Sequence, residues 1–189
     1  MNNILYNQIS KYIPFDEEEK TQKEVMLKFI KDNKDVLTRN NEIGHFTASA
    51  WIVNKERTKV LMVYHNIFNS WSFIGGHADG EEDLLSVAKR EIEEESGVKH
   101  AKLIHDGIYG LNVIPVGMHY KKGKFISPHL HLDVEYLFEA DEDEELRIKE
   151  DENSGVKWID VDKIEESVTE KDMKPIYLKL NDKIKKMDV

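Results

Sequence analysis

The stretch GHADGEEDLLSVAKREIEEESGV, residues 76–98, constrains this chain more than any other. Glycines bound it. Gly75-Gly76 lets the backbone turn without Cβ hindrance, and Gly97 suits the left-handed end of a helix. A helix is predicted from near Glu81 to Gly97, with Leu85, Ala88 and Ile92 as its apolar stripe. Glu91, Glu94 and Glu95 fall at i, i+3 and i+4, on an edge rotated by roughly 90° from that stripe. Such a helix can pack on a sheet and hold its acids at the rim of a cleft. Three anions within one turn repel each other. A hard divalent cation among them removes the repulsion. Mg²⁺ and Mn²⁺ take carboxylate oxygens, keep several waters and share their other positions with substrate phosphates. A merely solvated acidic helix is the bland alternative. It does not require the flanking glycines and the Arg90-Glu91 pair to fall in register.

The spacing also resembles a family signature. Gly76, five residues, Glu82, seven residues, Arg90-Glu91-Ile92, one residue, Glu94-Glu95, one residue, Gly97-Val98 is similar to the Nudix box at every defined position. The resemblance implies an α/β/α sandwich with a mixed sheet. It also implies a Mg²⁺- or Mn²⁺-dependent hydrolase that cleaves a nucleoside diphosphate linked to another moiety. Carried over residue by residue, Glu94 and Glu95 are direct metal ligands with Glu91 beside them. The Gly76 carbonyl and Glu82 are further candidates, and Glu82 reads equally well as the partner of Arg90. Arg90 is expected to hold a box glutamate through a charge-assisted fork. One of these glutamates, or a later acid such as Glu152, would orient or deprotonate the attacking water. Glu152 stands in an acidic run whose default place is a surface loop.

Around the box, residues 16–34 read as a helix capped by Asp16. HFTASAWIVN (45–54) and KVLMVYHN (59–66) read as a hairpin, and residues 71–74 as a short strand. Further strands are expected at 101–109, 111–118, 130–139 and 156–159. A short helix from about Asp162 and a helix over 172–186 follow. The expected organisation is an N-terminal helical extension (1–40) and a Nudix hydrolase domain with a C-terminal helix (41–189). The extension would close the cleft or mediate a homodimer.

With a formal net charge of −10, the chain does not attract duplex nucleic acid. A phosphorylated small molecule would need cations on both sides to approach. The chain has no cysteine, which excludes disulfides, thiolate metal sites and a cysteine nucleophile. With no apolar run of membrane-spanning length and no secretory pattern at MNNILYNQIS, the expectation is a cytoplasmic protein without a membrane partner.

Five polar residues, four of them outside the box, share a pattern. His45 opens the first predicted strand, and His77 follows the box glycine. His129, His131 and Asp133 alternate within HLHLDVEYLF and so share a strand face. This part resembles isopentenyl diphosphate isomerases. Their strand-opening histidine corresponds to His45, the histidine of their glycine–histidine pair to His77, and a pair of acids on a later strand falls near His131 and Asp133. The resemblance implies a second cation site, for Mn²⁺ or Zn²⁺. The histidines can also contact substrate phosphates or fill polar gaps in the sheet. Gly75 stands where the isomerases carry a catalytic cysteine, and the box is intact here, so isomerase chemistry is the lesser alternative. A nucleotide sensor without catalysis is the other. His77, Trp71 and Phe73 are candidate substrate contacts, the aromatics by stacking on a base.

Overall fold

The computed structural model of the chain describes residues 3–121 and 123–187. It opens with α1 (Asn3–Lys11) and α2 (Glu17–Asp32). The Asp16 side chain caps α2 by accepting from the Glu19 N–H at 2.8 Å, and three glutamates fill the first turn, where the helix dipole favours anions. α1 lies outside the predicted elements. Leu5 and Ile9 of α1 and Met26 and Ile30 of α2, each pair one turn apart, are buried in the main core.

The strands are β1 (Gly44–Val53), β2 (Lys59–His65), β3 (Ser70–Ser72), β4 (Ile74–His77), β5 (Lys102–Leu103), β6 (Gly110–Val116), β7 (His119–Lys121), β8 (Lys124–Ile126), β9 (His129–Glu139) and β10 (Asn153–Asp160). Three more helices are α3 (Leu84–Ser96), α4 (Ile164–Ser167) and α5 (Met173–Met187). Among the described residues, β7 and β8 form a separate hairpin and the other strands one mixed sheet. Its spine is the parallel pair β1–β9, in register from Gly44↔Leu130 to Val53↔Glu139. β4 lies antiparallel against the first half of β1, with Thr47 opposite His77 and Ser49 opposite Gly75. β6 runs antiparallel along β9.

Period-2 alternation splits the side chains between two cores. Phe46, Ala48, Ala50 and Ile52 of β1 join Leu132, Val134, Tyr136 and Phe138 of β9 in the core that α3 covers. Trp51, Val53 and Leu137 face the other way, onto Tyr177, Leu180 and Ile184 of α5. That face continues toward the start of β1 as His45, Thr47 and Ser49, in register with His131, Asp133 and Glu135. The polar end of one sheet face is therefore built by strands whose other face is apolar core.

Some expected boundaries shift. α3 starts at Leu84 rather than near Glu81, because Asp79 and Gly80 take positive φ and Asp83 caps the helix, accepting from Ser86 Oγ at 2.6 Å. The predicted strand 101–109 shrinks to β5, since Gly107 turns the chain at φ 81. The predicted strand 71–74 divides into β3 and β4. Gly97 ends α3 in the left-handed region, at φ 81, with its N–H on the Glu93 carbonyl at 3.0 Å.

Candidate active site

α3 packs against β4, and Gly76 is the point of closest approach. A Cβ on Gly76 would collide with the Glu91 carboxylate. Glu91 and Glu95, one turn apart, are both buried. Glu152, from the loop before β10, joins them, and one carboxylate oxygen from each lies within 4.8 Å of the others. Asn153 fixes that loop by donating from Nδ2 to the Glu95 backbone carbonyl at 3.0 Å.

Glu94 stands on the outer side of the same turn, half exposed. Its carboxylate lies 2.9 Å from Lys149 Nζ and 3.8 Å from Arg90 Nε. Arg90 also donates from Nη2 to Glu91 at 3.3 Å. Lys149 reaches Glu152 at 3.0 Å as well. Lys149 is the residue that sequence reasoning missed here. It sits in an acidic loop with no local signal, and only the fold brings it to the box. Glu82 is exposed ahead of α3 and outside the three-carboxylate group.

Burial pushes the Glu95 carboxyl up to about 8, and the nearby charges of Glu91 and Glu152 add to the shift. Burial also raises Glu91, with Lys149 opposing it. A pair of buried acids that resist ionisation this way is destabilised unless a positive charge arrives.

The second group lies on the other face of the sheet edge. The rings of His45, His77 and His131 stand with centroids 4.9–5.1 Å apart, and one nitrogen of each falls within 4.8 Å of the others. His129 stacks at 5.1 Å from His45. Burial lowers His77 to about 3 and His131 to about 2, with Arg39 adding to the shift at His77 and the crowding of the other imidazoles to that at His131, so both rings are neutral at physiological pH. Asp133, expected beside the histidines as a ligand, stands outside that three-histidine group and accepts from two hydroxyls. It accepts from Thr47 at 2.6 Å and from Ser49 at 2.5 Å. Burial raises both Asp133 and its neighbour Glu135, and Asn112 donates to Glu135 at 2.9 Å.

The two groups border one cavity of about 510 Å³, lined by Glu95, Gly75, Gly76, Asp133 and the four histidines among others. That volume fits a small-molecule ligand. Phe73 lies on its wall, edge-on to Tyr177 at 5.5 Å. Trp71, expected beside the substrate, is not on that wall. It packs edge-on to Tyr64 at 5.3 Å and under Lys157 at 4.3 Å, because alternation along β3 turns it toward β10.

Known proteins share this fold. The family profile of the NUDIX domain matches residues 44–180. An RNA pyrophosphohydrolase of Pelagibacter ubique (strain HTCC1062) is 29% identical over 161 residues, covering 82% of this chain and 98% of that protein. Among solved structures, an Ap4A hydrolase of C. elegans superposes with a TM-score of 0.54 at 18% identity, over 75% of this chain and 96% of its own. The MutT protein of Methanosarcina mazei Go1 gives 0.54 at 17%, over 77% and 98%. These likenesses share the fold, and the profile match spans most of the chain. With the intact box on α3, the profile match shows that this chain belongs to the Nudix family, and the pyrophosphohydrolase relative agrees in making it an enzyme that hydrolyses pyrophosphate bonds.

Proposed function

We propose that the enzyme is a divalent-cation-dependent hydrolase of a nucleoside diphosphate linked to another moiety. The observation that carries this reading is the meeting of Glu91, Glu95 and Glu152 beside a glycine that leaves room for nothing else. The residues fit a hard cation: three carboxylates converge, two of them buried, and Lys149 engages only the third. Glu91, Glu95 and Glu152 would hold Mg²⁺ or Mn²⁺, with the Gly76 carbonyl alongside. Glu94 would join by exchanging its Lys149 ion pair for the cation. Once bound, such a cation supplies Lewis acidity toward a phosphoryl oxygen and a more acidic water.

The chain's own residues do the rest. Arg90 keeps the Glu91 carboxylate turned toward Gly76. Lys149 holds the Glu152 carboxylate at the edge of the group, where it would also orient the attacking water. Phe73 and His77, on the cavity wall, contact the substrate beyond the scissile bond. The acidic, cysteine-free composition suits a cytoplasmic enzyme, and a phosphorylated small molecule suits the cavity better than duplex nucleic acid does.

A substrate panel tests the reading. Nucleoside triphosphates, dinucleoside polyphosphates, nucleotide sugars, ADP-ribose and an RNA with a 5′ polyphosphate would be incubated with Mg²⁺, and phosphate measured after phosphatase coupling. Turnover of a linked nucleoside diphosphate is expected. Binding without phosphate release across the panel would favour a sensor, and isomerisation of an allylic or homoallylic diphosphate would favour the isomerase reading.

A further inference from the structure

His65 ends β2 where that strand meets the loop of Glu152. It pairs with Asn153 across β2 and β10, and the next residue, Asn66, donates its N–H to the Glu152 carbonyl at 3.0 Å. Its ring stands 4.5 Å from that of Phe68 and lies on the wall of the cavity that Gly75, Gly76 and Glu95 also line. Hydrogen bonding fixes the tautomer of the neutral ring. Ile67 donates its N–H to His65 Nδ1 at 3.2 Å, so Nδ1 is the bare nitrogen and Nε2 carries the proton. The remaining edge of the ring is therefore an N–H donor, with no lone pair to offer a cation.

The β7–β8 hairpin begins past the last β6–β9 pair, Val116↔His129, and supplies another part of the wall. His119 and Lys121, two apart on β7, both line the cavity. Charges from both sides reach His65. Burial lowers the pKa of its ring, Glu152 opposes that, and Lys121 and His119 add to it. The ring thus stands between the acid group and the hairpin. Of the two Lys/Arg side chains on the wall, Arg39 is forked to Asp79. Among the described residues, no carboxylate lies in ion-pair range of Lys121. A half-buried cation without a counter-charge, in a chain of net charge −10, is open to an anion from outside the chain.

We propose that His65 and Lys121 form an anion subsite that holds the phosphate of the substrate beyond the attacked one. The proposal rests on the diphosphate-hydrolase reading and adds two residues to it. A diphosphate whose attacked phosphorus sits at the carboxylates extends its second phosphate along the cavity, past the end of β2. There the His65 N–H donates to a phosphoryl oxygen, and the Lys121 ammonium supplies the charge. Capping the turn after β2 is the competing use of His65. It accounts for Nδ1 and leaves the Nε2 donor and the unpaired lysine without a purpose.

The test measures binding rather than turnover. Full-length protein in millimolar Mg²⁺ is titrated calorimetrically with methylenediphosphonate, a diphosphate mimic whose P–C–P bridge resists hydrolysis. His65→Asn keeps the turn, because an Asn side chain accepts from the N–H two residues on, and removes the Nε2 donor. His65→Gln returns an N–H near the place of Nε2. The Kd is expected to rise about tenfold in His65→Asn and in Lys121→Met, and less than about threefold in His65→Gln. Melting curves confirm that each variant is folded, and Lys121→Met, on the separate hairpin, decides the matter if a His65 variant does not fold. Binding that needs Mg²⁺ and Glu95 but is unchanged in His65→Asn and Lys121→Met overturns the subsite and spares the hydrolase reading. Binding weakened in those two variants yet insensitive to Mg²⁺ and to Glu95→Gln keeps the subsite and counts against the cation site. No binding by the wild-type chain overturns the proposal.

Discussion

At Gly76 the absent side chain is part of the site, because the Glu91 carboxylate fills its place. Gly76→Ala is expected to leave a folded protein, about 1–3 kcal/mol less stable from overpacking, and to lower turnover by roughly 10²-fold as Glu91 is displaced. Unchanged turnover would separate Gly76 from the chemistry. Glu95 adds a pH dependence whose sign is fixed. Its carboxyl titrates at about 8 in the fold, against 4.5 for an unperturbed glutamate. At pH values below 4.5 both states are protonated and the group is neutral to stability. Between 4.5 and about 8 the unfolded chain ionises freely and the folded one does not, so the metal-free protein loses stability over that window. The loss is on the order of a few kcal/mol. A cation that binds the ionised trio reverses it. Millimolar Mg²⁺ is therefore expected to raise the melting temperature more at about pH 8 than at about pH 5, and Glu95→Gln should flatten the difference. An equal rise at both pH values counts against the trio as the cation site. The sequence carried Glu91 and Glu95 because their spacing is local to one helix. Glu152 was legible only as one acid among neighbours, and Lys149 not at all. Both reach the site across more than fifty residues, through the Asn153 contact to Glu95 and the Lys149 contact to Glu94.

Helix α3 is the element that aims these acids, and its two ends set its angle. Asp83 at the start and Gly97 at the end are each expected to matter more for stability than the exposed positions between them. Asp83→Ala removes a cap worth about 1 kcal/mol. Gly97→Ala forces a Cβ into left-handed backbone and against the Arg147 side chain, at a cost of about 1–2 kcal/mol. Urea melts measure both, and a cost near zero for Gly97→Ala would mean that the end of α3 can rearrange freely. The C-terminal end was readable from the glycine alone. The start was not, because the acidic run Glu81-Glu82-Asp83 looks like a first helical turn. What stops the helix there is the backbone of Asp79 and Gly80, and Asp79 is held by a fork from Arg39 forty residues upstream. The histidine pattern was legible at period 2 along β9. Its assembly with His45 and His77 required the parallel β1–β9 register, which alternation cannot supply.

At the scale of the molecule, the N-terminal helices are joined to the C-terminal one through a buried cation. Lys183 Nζ donates to Glu19 at 2.7 Å, to the Tyr12 hydroxyl at 2.8 Å and to the Tyr109 carbonyl. Lys183→Met leaves Glu19 buried without its counter-charge and is expected to cost about 3–5 kcal/mol, with much of that recovered in Glu19→Leu/Lys183→Met. Chemical denaturation of the two variants measures it, and equal losses in both would contradict the pairing. Reading the sequence sets residues 1–40 apart because they precede the box-bearing strands. The fold buries Leu5, Ile9, Met26 and Ile30 in the main core, a contact set by distant strands that no local pattern in α1 announces. All of this scaffolding serves one arrangement, acids gathered on α3 at the edge of a cavity. Its most direct test is steady-state kcat/KM in Mg²⁺ for Glu91→Gln and Glu95→Gln on a substrate identified by the panel, with exposed Glu93→Gln as the control. The account predicts losses of roughly 10³-fold or more in the first two and little change in the third. Turnover at the wild-type rate in both buried-glutamate variants contradicts it.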